Sequence, residues 1–150
     1  MIRAYNEAYL DDAMNNLGDM LDFAVYDCGY EPEDYWECFI VSGIAGAFEK
    51  GNPKYVSGLS GPELASEVLH RTFGSRPSAG ASDCIGKSPE YWAGWILAYY
   101  QWYTALPFND IIDRGLTISH TLALYPTLHE ADLSKFISIA NKICGNNQYS

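Results

Sequence analysis

The side chains able to bind a metal or attack a substrate are few. There are four cysteines, Cys28, Cys38, Cys84 and Cys144, and three histidines, His70, His120 and His129. No two cysteines form a C-x-x-C pair, so neither a structural zinc site nor a redox pair is signalled. They read as free thiols, most of them small core residues. Cys84 stands beside Asp83 and three residues before Lys87, so its acidity could be moved either way. No H-E-x-x-H is present. His129-Glu130-Ala131-Asp132 gathers ligand types, but in what reads as the first turn of a helix, where acids are expected for dipole reasons. Asp110 and Asp113 lie three apart and read as solvated rather than as an acid–base pair. There is no G-x-S-x-G and no glycine-rich phosphate loop. No catalytic residue, cofactor or metal is expected, and an enzyme is not the first reading.

Charge is the stronger signal. The chain of 150 residues has 19 acidic and 9 basic side chains, a net charge of −10. Ten of the acids fall within residues 1–37, against Arg3 alone, so that stretch carries −9 and the rest −1. Such a surface repels nucleic acid and anionic lipid, so neither is expected as a direct partner. It is either a solubilising face or a dock for a basic protein. With 48% hydrophobic residues, a disordered acidic tail is excluded. No apolar run is long enough for a membrane helix. The N-terminus lacks an apolar leader, and a cytoplasmic location is expected.

The elements carrying these residues are helical. Leu10, Met14, Leu17, Leu21, Ala24 and Cys28 recur at steps of three and four, which predicts a helix over 6–28. Asp12 and Asp19 then point away from its apolar face, flanked by Asp11 and Asp22. Glu31-Pro32 opens a second helix ending at Gly51, with Trp36, Phe39 and Ile40 inward. Its Gly43 and Gly46 leave a small-residue stripe for another helix. Ser60-Gly61-Pro62-Glu63 is a capping box that opens a third helix, to Phe73. Residues 74–87 read as a mobile loop or hinge. A fourth helix spans 88–105, a fifth 107–114 and a sixth 117–124, ended by Pro126. Thr127 to Glu130 is a second capping box starting a last helix, stopped by Gly145, and 146–150 should fray. The expected fold is a single all-α domain, 1–150, of six or seven helices. Its core should include Leu10, Leu17, Leu21, Phe39, Ile40, Trp92, Ile96, Tyr99 and Phe136.

The segment Glu90 to Tyr103 holds seven aromatics in fourteen residues and reads as the central helix. Within it Tyr100 or Trp102 could stay exposed as a partner anchor. Base stacking is not expected, since the helix has no Lys or Arg. Residues 107–125 imitate a helix-turn-helix, but the second helix has no basic residue to reach phosphates.

Four segments are distinctive together: AYNEAYLDDAMNNLGDMLDFAV at 4–25, GNPKYVSGLSGPEL at 51–64, SPEYWAGWILAYYQWYT at 88–104 and LYPTLHEADLSKF at 124–136. Through them the sequence resembles a poorly characterised group of small proteins from gut-type Firmicutes and their mobile elements. Longer members continue into a helix-turn-helix regulator domain, and the group occurs near genes resembling ADP-ribosyltransferase-type toxins. The resemblance implies an antitoxin-like or regulatory interaction module, and it brings no catalytic residues.

The expected function is therefore a non-enzymatic protein-binding module facing a basic partner, either a toxin or a nucleic-acid-binding protein. Its expected contact residues are Asp11, Asp12, Asp19, Asp22, Glu33, Asp34, Glu37, Tyr100 and Trp102. A homo-oligomer is compatible with this reading. The alternative is an anti-CRISPR-like inhibitor whose carboxylates mimic a phosphate track. A small enzyme ranks third and would need a concave pocket with convergent polar groups.

Overall fold

The computed structural model describes residues 2–74 and 88–145. Met1, the 75–87 stretch with Cys84, and the 146–150 tail lie outside the described residues, and so do the expectations placed on them. Among the described residues there are nine α-helices and no strand. A 3-10 turn, Glu7–Tyr9, leads into α1, Leu10–Tyr26. Then come α2, Pro32–Val41; α3, Ile44–Glu49; α4, Pro53–Val56; and α5, Gly61–Phe73. The second half holds α6, Pro89–Thr104; α7, Phe108–Asp113; α8, Ile118–Leu128; and α9, Leu133–Cys144. The all-α class stands, and the helix count exceeds the expected six or seven.

The centre of the molecule is the packing of α1 on α6, with α5 on another side of α1. The two helices run in opposite directions: Ser88 meets Asp22, Tyr91 meets Asn15, and the Ala4 amide reaches the Trp102 carbonyl. They touch where both lack a side chain. A Cβ on Gly94 would stand 2.5 Å from the Leu17 carbonyl oxygen and 3.0 Å from the Gly18 Cα. Gly18 thus sits inside α1, despite its propensity cost, because the Tyr91 ring and carbonyl occupy the space of its missing Cβ. The small-residue stripe expected at Gly43 and Gly46 meets nothing within 4 Å, so that close approach is made elsewhere.

One apolar cluster joins residues from all nine helices. On one side Trp36, Phe39, Phe48 and Phe108 meet edge-on or tilted, with Trp36 and Phe108 centroids 5.6 Å apart at 87°. On the other, Phe136 of α9 meets Trp92 at 5.8 Å and Tyr100 at 6.2 Å. Edge-to-face pairs of this kind add to the area they bury.

Several boundaries differ from the sequence reading, each for a local reason. The first helix begins as a 3-10 turn, with the Asn6 side chain accepting from Ala8 N–H at 2.8 Å. The second splits at Gly43, whose φ of 84° is left-handed and ends α2. The single turn α4 was not anticipated; the Asn52 side chain caps it. Pro126 does not end α8, because a proline one turn from the C-terminus removes few bonds, and the helix runs on to Leu128. Thr127 is consequently inside that helix, its hydroxyl donating to the Leu124 carbonyl at 3.2 Å. It opens no capping box, and α9 starts at Leu133 instead. Ile40 and Tyr99, expected in the core, are half-buried. The other expected core residues are buried.

Candidate partner-docking site

The acids of α2 stand at a groove. Pro32 opens the helix, and Glu33 and Asp34 fill its first turn, where carboxylates suit the helix dipole. Glu37 follows one turn later, on the same side. Beyond it the helix turns apolar, with Ile40 and Val41. Across from them α7 supplies Asn109 and Ile112, and Trp36 contributes to the lining; together these residues enclose about 320 Å³. Trp36 is held by its ring contacts with Phe39 and Phe108. Val41 is 71% exposed, an uncovered aliphatic side chain close to three carboxylates. Among the described residues no Lys or Arg lines the groove.

The three acids have different duties. A Glu33 carboxylate oxygen accepts the Ser119 N–H at 2.8 Å, near the start of α8. It ties two helix N-termini together and is half-buried. Asp34 and Glu37 are exposed. Their charge reaches Cys38, whose thiol is pushed up first by burial and then by Glu37 and Asp34. Burial, helped by Asp27, likewise raises Cys28. Burial also raises Cys144, against the lowering effect of Tyr100 and Arg114. All three are free and held as thiols rather than thiolates near neutrality, which is the wrong state for a nucleophile.

The acids of α1 do not share this groove. Asp11, Asp12 and Asp19 are exposed, as their place on the helical wheel requires, and Asp22 is half-buried, accepting a hydrogen bond from the Ser88 hydroxyl. Two expected anchors are corrected. Tyr100 is fully buried, and its hydroxyl donates to Asn141 Oδ1 at 2.7 Å. Trp102 is 7% exposed, and its indole N–H donates to the Tyr5 carbonyl at 2.8 Å. The aromatic helix is enclosed on nearly all sides by α1, α8, α9 and the N-terminal segment, so neither ring can present a face to a partner.

Among the described residues no group of three His, Cys, Asp or Glu side chains could hold a metal ion. Asp110 and Asp113 are exposed. No helix of the described residues is long and apolar enough to cross a membrane. Searches against protein-family models, curated proteins and solved structures find nothing that matches this chain.

Sequence reasoning missed the apolar half of the groove. Ile40 continues the inward period of α2 and reads as core. Asn109 and Ile112 reach the site only through the packing of α7 on its neighbours. The available signal was Val41, an aliphatic residue just past the inward stripe and next to the end of the helix.

Proposed function

We propose that this chain is a non-enzymatic protein-binding module, antitoxin-like or regulatory, that engages a basic protein through the α2–α7 groove. One observation carries the reading: exposed Asp34 and Glu37 flank an uncovered aliphatic surface made by Ile40, Val41 and Ile112. Carboxylates at a rim steer and orient a cationic partner, while the apolar floor supplies the area that holds it. A segment presenting Lys or Arg beside an aliphatic residue matches both halves. The anti-CRISPR-like alternative needs a track of carboxylates without apolar anchors. The mixed character of this groove favours the first reading.

The experiment begins with affinity capture from the native host and identification of the bound protein. Association kinetics of the purified pair are then measured for wild type and for Asp34→Lys with Glu37→Lys. The expected result is an association rate that falls at least about tenfold between 0.05 and 0.5 M salt. The double variant should associate slowly at all salt concentrations while melting as wild type does. Unchanged rates with an intact fold would remove the groove from the function.

A further inference from the structure

A second concavity lies between α1, α6 and the end of α8. It encloses about 320 Å³ and is lined by Tyr91, Trp92, Trp95, Tyr125, His129 and Asn15. The docking reading makes no use of it. Its volume sits at the small end of the range for small-molecule sites, roughly 300–1,000 Å³. Four of the six described lining side chains are Trp or Tyr, whose ring faces carry the negative side of a quadrupole. Among the described residues no Lys or Arg lines it. Exposed Asp12 lies three residues before Asn15, on the same side of α1. The Glu130 carboxylate stands 3.6 Å from His129 Nε2. This field repels an anion and attracts a cation.

The same helix holds a cation at its other end. The Arg3 guanidinium lies 3.7 Å from the centre of the Tyr103 ring and 5.5 Å from that of Trp102. It also donates to the Tyr103 carbonyl at 2.6 Å. That extra acceptor is what distinguishes the two ends. In the pocket, Asn15 Oδ1 already accepts the Tyr91 hydroxyl at 2.5 Å. The Tyr125 carbonyl already accepts His129 Nδ1–H at 2.7 Å. A primary ammonium brings three N–H donors and a guanidinium five, while each of these oxygens already accepts one bond and has one lone pair left, so some donors would stay unpaired, which is costly. A quaternary ammonium has no N–H to satisfy. We propose that this aromatic pocket is a binding site for a quaternary ammonium cation, a trimethylammonium group carried by a small molecule.

The test uses the full chain and choline as the probe, with sodium chloride at matched ionic strength as the blank. Indole N–H resonances of Trp92 and Trp95 report occupancy. Saturable shifts with choline are expected. The neutral carbon isostere, with tert-butyl in place of trimethylammonium, should bind about tenfold more weakly, because it fills the same space without the charge. Acetyl-arginine amide should also bind more weakly than choline. Trp95→Leu keeps an apolar wall but removes a π face, and it should abolish the preference for choline over the isostere. If that variant fails to melt cooperatively, Tyr125→Leu is read in the same way. Shifts reproduced by salt alone, equal binding of the isostere, tighter binding of the arginine derivative, or a preference that survives loss of the ring would each overturn the proposal.

Discussion

α1 and α2 are both acidic helices, and they meet the rest of the molecule in opposite ways. The apolar face of α1 is consumed by α6 and α5, with Leu17, Leu21 and Ala24 fully buried. Its exposed acids stand on the far side, and Asp22 is bonded to the start of α6. In α2 the buried face is used by Tyr35, Trp36 and Phe39, but Ile40 and Val41 extend past it into an uncovered groove. Charge of the same sign therefore means different things in the two places. A carboxylate away from uncovered aliphatic surface serves solvation and the long-range field. A carboxylate beside uncovered aliphatic surface has something to orient a partner toward.

The largest effect is expected where α1 is committed to α6. Gly94→Ala places a methyl group against backbone atoms, which cannot rotate away, 2.5 Å from the Leu17 carbonyl oxygen. The expected loss is about 3 kcal/mol, which lowers Tm by roughly 6–12 °C for a chain of this size. Gly46→Ala is the matched control. Nothing lies within 4 Å of its added carbon, so inside α3 it should stabilise by about 0.5–1 kcal/mol. Thermal melts of the two variants decide the point. Equal behaviour would mean that the α1–α6 seam is not the tight contact on which the comparison rests.

Next comes the residue first expected to be an anchor. Tyr100→Phe removes a hydroxyl from a buried pair and strands Asn141 Oδ1, while Asn141 Nδ2 already lacks a partner. Denaturant unfolding should show a loss of about 1–3 kcal/mol. Partner affinity should be unchanged in the folded variant. A weakened complex with unchanged stability would put Tyr100 back on the docking surface.

These residues also show what the sequence can convey. The Ser60–Glu63 capping box is read directly, because its bonds are local: the Ser60 N–H donates to Glu63 at 2.9 Å and the Glu63 N–H to Ser60 at 3.2 Å. The solvent side of α1 is read equally well, because one helix decides it. Tyr100 is not, since α6 is apolar almost all round and its wheel singles out no face for solvent. The stripe at Gly43 and Gly46 fails for another reason. Spacing marks where a close approach is possible, and only the packing of α1 on α6 selects Gly18 and Gly94 for it. Half of the candidate site was legible as the acids of α2. The other half comes from α7, more than sixty residues further along the chain, and no local pattern joins the two.

The comparison is sharpest when both acidic helices are reversed in charge by the same amount. Asp12→Lys with Asp19→Lys changes α1 by four charges, and Asp34→Lys with Glu37→Lys changes α2 by four. Each exposed substitution should move stability by less than about 0.5 kcal/mol. Against the captured partner, the α2 pair should slow association about tenfold, and the α1 pair by no more than about threefold through the long-range field alone. Equal slowing by both pairs would make the interaction one of net charge, and the groove would lose its special place.

The smallest effect concerns Glu49, at the end of α3 behind the groove. Its carboxyl is half-buried, and burial pushes its pKa up from the ordinary range, partly offset by the Phe108 N–H at 3.4 Å. The sign follows from linkage. The folded protein holds this proton more tightly than the unfolded chain does, so the group's contribution to stability is fully present below the unfolded pKa of about 4.3. That contribution is lost as pH rises through the folded value. At pH 7 the charged form is the one the fold disfavours. Glu49→Gln keeps an oxygen for the Phe108 N–H and removes the charge. It should therefore stabilise at pH 7, by less than about 0.5 kcal/mol because water still screens half of the group. The gain should vanish near pH 4, where the wild-type carboxyl is protonated too. Denaturant melts of both proteins across pH 4–7.5 measure this difference. A loss that grows with pH would show instead that the Glu49 charge holds the start of α7, and with it the wall that carries Asn109 and Ile112.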